Sequence, residues 1–458
     1  MKRLILNILF AFLCLTFVNA ESLSLDSCLS LARQNNAEIR TSQLEIEKAK
    51  EVKAQVFTKF FPQVNGNFLA YHALNPLFEF GINDIQSADA RHLLQALYDL
   101  VKCTSDVSNE ISLMRHGLLL NATAFQPVFA GGRIINANKL AKLGVEAAEL
   151  KAQVSERDVL ENIESTYYLV LGLQDKVATV ESTLSLLDSL TNTVNVALNA
   201  GLVTKSDALQ IELKKNEMRA NQLQLANAIS LASQLLCIQI GIDYPASGLT
   251  LSEETASTAG STESLSYQIG SYSDTFPPLF TGIASRPENR LLSLQVQAEE
   301  LQKRITIGAA LPQIMLGGAY YWGNPVKTEY NHNGLLFATA TIPLTQWWET
   351  SHKIREHNIA IRQYELQRDN LSRQMSLQEQ QAFNTMMEAA ALLKSDSSAL
   401  EMAKENYRLA TLNYEAGLNT LNDVLQANAL LLQAQNAITD RRISFLTARR
   451  RYSDLTQQ

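Results

Sequence analysis

The chain carries one short sequence twice, ALNAGLVTKSDALQIE at residues 197–212 and NYEAGLNTLNDVLQAN at residues 413–428. Seven of the sixteen positions are identical at a constant offset of 216. A proline, Pro127 or Pro343, lies 74 residues before the central glycine of each copy, and no other proline lies between. Because proline breaks helices, each interval can hold one long helix. The repetition predicts an internally duplicated chain.

Both intervals predict long coiled-coil helices. Val180, Leu187 and Val194 recur every seven residues. A second series alternates steps of three and four residues, formed by Leu400, Ala403, Tyr407, Ala410 and Tyr414. Such spacings are typical of helices that pack along an apolar seam. The helices predicted over 133–199 and 347–415 would each be about 100 Å long at about 1.5 Å per residue.

Each long helix is predicted to turn back at a glycine. Gly201 and Gly417 stand where a helix end favours a left-handed residue. A threonine follows each glycine, and an aspartate follows the threonine three residues later, a pattern typical of an N-cap with an acid in the first turn. The remaining predicted helices are the return arms 204–240 and 420–456 and the shorter tracts 24–58 and 287–310.

Two further pairs of segments predict strands. The stretch 62–71 pairs with 118–126, and 312–322 pairs with 335–342, with alternating side chains in the last. Aromatic residues mark the ends of these runs, at Phe68, Tyr71, Tyr320, Tyr321 and Trp322. Strands of about ten residues with terminal aromatics are typical of membrane β-barrels. Two ordinary soluble hairpins are the alternative interpretation.

The domain boundaries follow from the duplication and from composition. A basic start and an apolar run predict a signal peptide over 1–20. The first repeat is then 21–245, with its tip near 200–207, and the second is 286–458, with its tip near 416–423. The first hairpin has 34 more residues than the second, which predicts a long extracellular loop over about 74–117. A Ser-, Thr- and Gly-rich linker is predicted over 246–285.

Composition argues against several classes of function. Without residues 1–20, the chain carries nine more acidic than basic residues, which argues against nucleic-acid binding. The three remaining cysteines, Cys28, Cys103 and Cys237, lack a metal-type spacing, and the six histidines are scattered. The sequence also lacks a phosphate-binding glycine loop and a nucleophile elbow. We therefore expect no enzyme activity, catalytic residue, cofactor or metal.

The fold class predicted is mainly α with membrane β. Four strands cannot cross a bilayer alone, because their edge N–H and C=O groups would be unpaired in lipid. Several chains must therefore pool their strands into one closed barrel. Two chains would give eight strands with a filled interior, whereas three would give twelve strands, wide enough for an aqueous lumen. The long helices would extend this tube beyond the membrane.

Over essentially all of the mature chain, the sequence resembles the outer-membrane efflux (TolC-like) family. The resemblance is carried by the signal peptide, the duplication, the junction QPVFAGGR at 126–133, and the two Ala-Gly-Leu tips, each followed by an aspartate. It implies a homotrimer with a twelve-strand barrel in the outer membrane of a Gram-negative bacterium, and a long α-helical barrel in the periplasm. It also implies contacts with outer-membrane lipid, a periplasmic adaptor (membrane fusion) protein and an inner-membrane RND or ABC pump.

The resemblance also implies a periplasmic gate. In the family, an aspartate of the first tip bonds a tyrosine of the second long helix, and these positions fall on Asp207 and Tyr414. Asp423 matches one member of a ring of entrance aspartates. Two other family positions hold Asn419 and Gln426, which departs from the pattern. The alternative is that both aspartates are helix-start acids and that Tyr414 fills the coiled coil.

Position 198, the repeat equivalent of Tyr414, is leucine, so the tyrosine is not a simple product of duplication. The remaining candidate sites are turns and junctions. The tip turns expected to contact the adaptor contain Gly201, Leu202, Gly417 and Leu418. The strand-to-helix junctions contain Pro127, Gly131, Gly132, Pro343, Trp347 and Trp348, and the tryptophans are expected to anchor at the membrane interface.

The function expected is passive export through an outer-membrane channel-tunnel, opened by the adaptor and the pump. The sequence leaves open whether the cargo is a small molecule, as in efflux, or a protein, as in type I secretion. The alternative is a non-conducting, secreted coiled-coil structural or adaptor protein.

Overall fold

The computed structural model describes residues 23–72, 78–81, 110–113, 116–201, 203–245, 286–323 and 331–456. It also describes single positions or pairs, namely 74, 87, 91–92, 95–96, 99, 249 and 251. The predicted signal peptide, Leu202, Cys103, and most of the predicted loop and linker therefore lie outside the described residues.

Seven α-helices and six strands have described bounds. In chain order they are α1 (Leu25–Asn35), α2 (Ala37–Phe57), β1 (Gln63–His72), β2 (Phe78–Gly81), β3 (Glu110–Leu113), β4 (His116–Phe129), α3 (Arg133–Asn199), α4 (Lys205–Ile240), α5 (Pro287–Ala309), β5 (Gln313–Gly323), β6 (Asn331–Thr341), α6 (Gln346–Glu415) and α7 (Leu421–Thr456). A short 3-10 turn, Thr58–Phe60, follows α2.

The long helices and their return arms are confirmed closely. Helix α3 has the predicted bounds, and α6 begins one residue before the predicted start at Trp347. The predicted tract 24–58 is interrupted at Asn36, which has an extended backbone. The Asn36 side-chain oxygen accepts the N–H groups of Glu38 and Ile39, so this residue starts α2 as an N-cap.

The chain divides into two compact units. Unit 1 comprises Met1–Lys48, Glu146–Leu294 and Glu365–Gln458, and unit 2 comprises Ala49–Val145 and Gln295–Tyr364. Each unit therefore takes segments from both predicted repeats. The repeats remain an interpretation of the sequence rather than a description of compact domains.

Three apolar clusters hold unit 1 together. The cluster nearest the tips buries the predicted seam residues Val180, Leu187 and Val194 of α3, with Ile211 and Met218 of α4. The same cluster includes residues from the other pair of helices, Ala410 of α6 and Leu421, Val424 and Ala427 of α7. Removing a large apolar side chain from such a seam costs about 2–5 kcal/mol. The seven-residue spacing is thus confirmed as a packing pattern.

One described helix, α4, is long and apolar enough to cross a membrane, with a mean hydropathy of 1.4 over its most apolar window. This is weak evidence for a span, because core helices share that composition. Residues along the length of α4, from Ile211 through Met218 to Leu236 and Ile240, are buried against other helices of unit 1.

Unit 2 contains a four-stranded antiparallel sheet in the order β1-β4-β5-β6. The predicted strands are confirmed, but β6 begins at Asn331 rather than Leu335. Its first residues, Asn331, His332 and Asn333, are polar and hid the strand from pattern analysis, although they pair with β5. Strand β4 continues past Pro127, where the register shifts at a bulge that accommodates a residue without an N–H.

The faces of the sheet differ in chemistry. Residues paired across strands share a face, so the row of Val64, Ala124, Gly318 and Leu336 lies on one side, together with the rows two residues away. This face is apolar and exposed, with Leu336 at 89% exposure. The opposite face carries polar contacts, including Asn67 Nδ2 to Asn121 Oδ1 at 2.9 Å and Asn333 Nδ2 to the Tyr321 hydroxyl at 3.1 Å.

None of these four strands contains Asp, Glu, Lys or Arg, although such residues make up 19% of the chain. Within the predicted long loop, β2 and β3 form a separate antiparallel pair. The sequence analysis missed this pair, because two four-residue strands are too short to leave a periodic pattern.

Candidate functional site at the helix tips

The first tip joins α3 to α4. Gly201 has a φ of 77°, in the left-handed region predicted for it, and its N–H donates to Leu198 O at 3.0 Å. The Asp207 carboxylate accepts both the N–H and the hydroxyl of Thr204 at 2.8 Å. In return, Thr204 Oγ1 accepts the Asp207 N–H at 3.3 Å. This reciprocal arrangement is a capping box, and it satisfies donors that the first turn of α4 would leave free.

The second tip joins α6 to α7 and repeats this chemistry. Gly417 has a φ of 68°. The Asp423 carboxylate accepts the Thr420 N–H at 2.8 Å and its hydroxyl at 2.7 Å. The Thr420 hydroxyl, followed by its N–H, lowers the pKa of Asp423, because both bonds stabilise the charged carboxylate. The two predicted helix starts are therefore confirmed, and capping accounts for the position of both aspartates.

Asp207 and Tyr414 belong to different helical hairpins, and Ala208, the neighbour of Asp207, packs against the same apolar cluster as Tyr414. Tyr414 is half-buried against the apolar cluster at the tips. Burial raises the pKa of its phenol, and the negative charge of Asp207 raises it further. In the described part of the chain, no hydrogen bond joins the two side chains. Asp423 is not among the groups that act on Tyr414.

The tip turns are open to solvent. No atom lies within 4 Å of the position that a Cβ would take on Gly201 or Gly417. Leu418 is 76% exposed. Its predicted equivalent, Leu202, lies outside the described residues. The described turn residues thus leave their surface available for contact with another molecule.

A buried lysine lies in the first hairpin, and the sequence analysis missed it. Lys215 of α4 is 8% exposed, and its Nζ lies 2.8 Å from Asp188 of α3 and 3.3 Å from Glu212. The hydrogen bond to Asp188 is the largest cause of its raised pKa. The equivalent position in the second hairpin, 216 residues on, is Leu431, which is also buried. The difference between Lys215 and Leu431 at equivalent positions is the feature of the sequence that could have revealed this lysine.

The strand-to-helix junctions lie in unit 2. Gly131 and Gly132 both have positive φ values, 59° and 78°, and a Cβ on Gly131 would collide with the Gly308 carbonyl. Any other residue at Gly131 would therefore be both strained and obstructed. After Pro343, the Trp347 indole N–H donates to Ala310 O at 2.9 Å, and Trp348 is largely exposed.

Metal and thiol chemistry have little support in the described residues. No group of three or more His, Cys, Asp and Glu side chains there is placed to hold a metal ion. Cys28 and Cys237 lie on α1 and α4 and are buried free thiols. Burial raises the pKa of Cys28 to about 11, which disfavours the reactive thiolate.

Comparisons with known proteins place the fold. No protein-family model and no curated protein matches the sequence. The structure is similar to the outer membrane protein VceC from Vibrio cholerae, with a TM-score of 0.69 and 15% identity over 94% of this chain and 95% of that one. It is also similar to CusC, whose structures concern transmembrane channel formation, with a TM-score of 0.75 and 13% identity over 94% of this chain and 91% of that one.

A third similar structure is the CmeC outer membrane channel of Campylobacter jejuni, with a TM-score of 0.70 and 14% identity over 94% of this chain and 85% of that one. At sequence identities this low, the structural similarity establishes the fold but not the roles of individual residues. The chain therefore has the fold of the TolC-like outer-membrane channels, and the resemblance inferred from its sequence is confirmed at that level.

Proposed function

We propose that the protein is a passive export channel of the outer membrane of a Gram-negative bacterium. The observation that carries this proposal is the four-stranded sheet without charged side chains, whose exposed face is apolar, in a chain with a channel fold. An exposed apolar surface of this kind is unfavourable in water and suits contact with lipid. Trp347 and Trp348, at the start of α6, would lie at the membrane interface.

The assembly proposed is a homotrimer. Within the described sheet, β1 and β6 each have one unpaired edge, and an open edge in lipid is costly. Three copies would join β6 of one chain to β1 of the next and close a twelve-strand barrel, wide enough for an aqueous lumen. The helices of three chains would correspondingly form an α-helical barrel in the periplasm.

The gate proposed is the pair Asp207 and Tyr414, with Asp423 as a further entrance acid. Two observations support the pair: the negative charge of Asp207 helps to raise the Tyr414 pKa, and Ala208 and Tyr414 pack against the same apolar cluster. Opening would then separate the two hairpins at their tips. The capping boxes explain the positions of Asp207 and Asp423 without a gate. Tyr414 is therefore the residue whose role distinguishes a gate from a helix cap.

The partners proposed are a periplasmic adaptor protein and an inner-membrane RND or ABC pump. Nothing in the sequence suggests nucleotide binding, so a partner must supply the energy for export. The open tip turns at Gly201 and Gly417, with the exposed Leu418, are the surface proposed to meet the adaptor. The cargo would be a small molecule, as in efflux, or a protein, as in type I secretion.

Extraction and conductance test this proposal. We expect the protein to fractionate with the outer membrane, to require detergent for release and to run as a heat-resistant trimer. Reconstituted into a planar lipid bilayer, it should give discrete conductance steps that need no nucleotide. A freely soluble periplasmic rod with no conductance would contradict the proposal and favour the coiled-coil structural protein.

A further inference from the structure

All four strands of the sheet in unit 2 join the helices at the same edge. Strand β1 starts at Gln63, opposite Phe125 near the end of β4. Strand β5 starts at Gln313, opposite Thr341 at the end of β6, and the start of β5 also pairs with the end of β4. The segments that connect the sheet to the helices therefore begin at one level of unit 2.

These connecting segments are basic. The ten residues on the helix side of each strand are 53–62, 130–139, 303–312 and 342–351, and they contain six basic residues and one acid, Glu349. The whole chain, by contrast, has 39 basic and 46 acidic residues. We call the six basic residues the basic flank: Lys53, Lys59, Arg133, Lys139, Lys303 and Arg304. Because the four strands carry no charged side chain, the positive charge begins where the strands end.

The charges of the basic flank are not neutralised in the part of the chain that the structure describes. None of the six residues forms an ion pair with an acid there. Lys303 Nζ donates to the neutral amide of Asn358 at 2.6 Å, and Glu349 lies 2.7 Å from Lys353. All members except Lys303 are exposed. The basic flank therefore offers its positive charge to a partner outside the chain.

Exposed aromatic side chains lie at the same edge of the sheet. The Phe57 ring packs edge-on against the rings of Phe60 and Phe61, with centroids 5.6 Å apart in both contacts. Gln126 Nε2 donates to Phe60 O at 3.0 Å, which fixes this group beside the end of β4. All three phenylalanines are exposed, as are the two tryptophans that follow β6. Apolar rings beside long basic side chains suit the boundary between hydrocarbon and headgroups better than they suit water.

We propose that the basic flank binds the anionic headgroups of phospholipids in the periplasmic leaflet of the outer membrane. This proposal rests on the proposed function, because it requires the sheet to lie in a bilayer. The ten residues of β1 match the length of a strand that spans the hydrocarbon core, so the connecting segments start at the headgroups. Lys59 and Arg133, each four residues from a strand end, would lie closest to the phosphates.

The expected strength follows from the electrostatics of membrane surfaces. Each cation beside an anionic surface gives about a fivefold gain in affinity. This attraction decays over a Debye length of about 10 Å at about 0.1 M salt, whereas ten residues of helix cover about 15 Å. The members of the flank nearest the strands should therefore contribute most, and salt should weaken the binding.

Lipid binding to the purified full-length protein in detergent tests the proposal. The protein is incubated with equal amounts of phosphatidylglycerol, which is anionic, and phosphatidylcholine, which has no net charge, and native mass spectrometry counts the bound lipids. We expect at least a tenfold preference for phosphatidylglycerol at low salt, and a clear fall in that preference at about 0.5 M salt. Equal binding of the two lipids, or a preference that salt leaves unchanged, would overturn the proposal.

Matched variants locate the binding surface. The test variant combines Lys53→Gln, Lys59→Gln and Arg304→Gln, and its preference for phosphatidylglycerol should fall at least tenfold. The control removes the same kinds of charge from exposed positions of unit 1 and should keep the preference; it combines Arg40→Gln, Lys151→Gln and Lys394→Gln. An unchanged preference in the test variant, or an equal loss in both variants, would show that the basic flank is not the binding surface.

Conductance distinguishes a lipid-facing surface from a channel lining. If the test variant changed the anion selectivity of the reconstituted channel and kept its lipid preference, the cations would line the lumen and the proposal would be wrong. Conduction by a wild type without lipid preference would reject the lipid surface alone. A protein that dissolves without detergent and does not conduct would reject the proposed function.

Discussion

The two tips of the molecule share their backbone chemistry and differ in their side-chain contacts. Both carry a left-handed glycine and the same threonine–aspartate cap, with matching bonds at 2.7–2.8 Å. Beyond the caps they diverge, since Tyr414 stands opposite Leu198 in the alignment and Leu431 opposite Lys215. Features that build a helix turn have been kept in both copies. Tyr414, on which the charge of Asp207 acts from the other hairpin, and Lys215, which joins α4 to α3 within the first hairpin, each occur in one copy only. This suggests that the two tips have unequal roles.

The largest effect is expected at the gate. Asp207→Ala combined with Tyr414→Phe should raise single-channel conductance several-fold, because it removes the charge and the phenol proposed to hold the two hairpins together. The measurement is conductance in a planar lipid bilayer. Unchanged conductance would remove the gate assignment and leave both residues as structural.

Two matched controls separate gating from folding in this experiment. Thr204→Val weakens the same cap but keeps the Asp207 charge, so conductance should remain low. Tyr407→Phe removes a phenol one heptad earlier, where burial raises the pKa and no aspartate contributes. A rise in conductance with either control would show that loosening of the tip alone is enough.

A smaller effect is expected at Lys215. Lys215→Ala should lower the free energy of unfolding by about 2 kcal/mol, the size of a hydrogen bond to a charged group. Asp188 and Glu212 remain well exposed, so solvent limits the cost of leaving them unpaired. Lys215→Leu copies the second hairpin and should recover most of the loss, because leucine fills the buried space that alanine leaves empty, while the exposed Asp188 and Glu212 stay in contact with solvent. Denaturant unfolding in detergent measures both variants, and equal losses would contradict this account.

The sequence predicted the helices and caps well because their signals are local. Each of these signals acts on neighbouring residues. A proline ends a helix, the heptad positions Val180, Leu187 and Val194 mark the buried face of a helix, and a glycine allows the turn at its end. The strands were recognisable from their aromatics, although β6 was predicted too short. The fold class was thus readable before the structure, while the closed barrel depends on other chains and stays a proposal.

The candidate site was less predictable, because its members meet through tertiary packing. Residues alone could not pair Asp207 with Tyr414, and that pairing came from the family resemblance. Lys215 occupies a position where the pattern would place an apolar residue, so only its contacts with Asp188 and Glu212 explain it.

A still smaller and equal effect is expected at the two tip glycines. Gly201→Ala and Gly417→Ala should each cost about 1 kcal/mol, because a side chain disfavours the left-handed conformation. No atom obstructs the new Cβ at either site, so strain of the backbone is the whole cost. Thermal unfolding should give matching shifts in Tm. A much larger shift at one tip would show that its turn is held by contacts that the other lacks.

An effect of similar size is expected at the caps, and it depends on pH. Thr204→Val and Thr420→Val should each lower stability by about 1 kcal/mol at pH 7, as expected for loss of an N-cap.

The Thr420 hydroxyl depresses the pKa of Asp423 below its ordinary value of 3.8. A depressed carboxyl pKa contributes stability that is present above the unfolded pKa and lost as pH falls through the folded one. The difference in Tm between wild type and Thr420→Val should therefore be full at pH 7 and shrink below about pH 4, where the carboxylate that accepts the hydroxyl becomes protonated. A difference that stays constant down to pH 3 would mean that the threonine acts through its backbone conformation, and that the charge of Asp423 contributes nothing to holding the second tip.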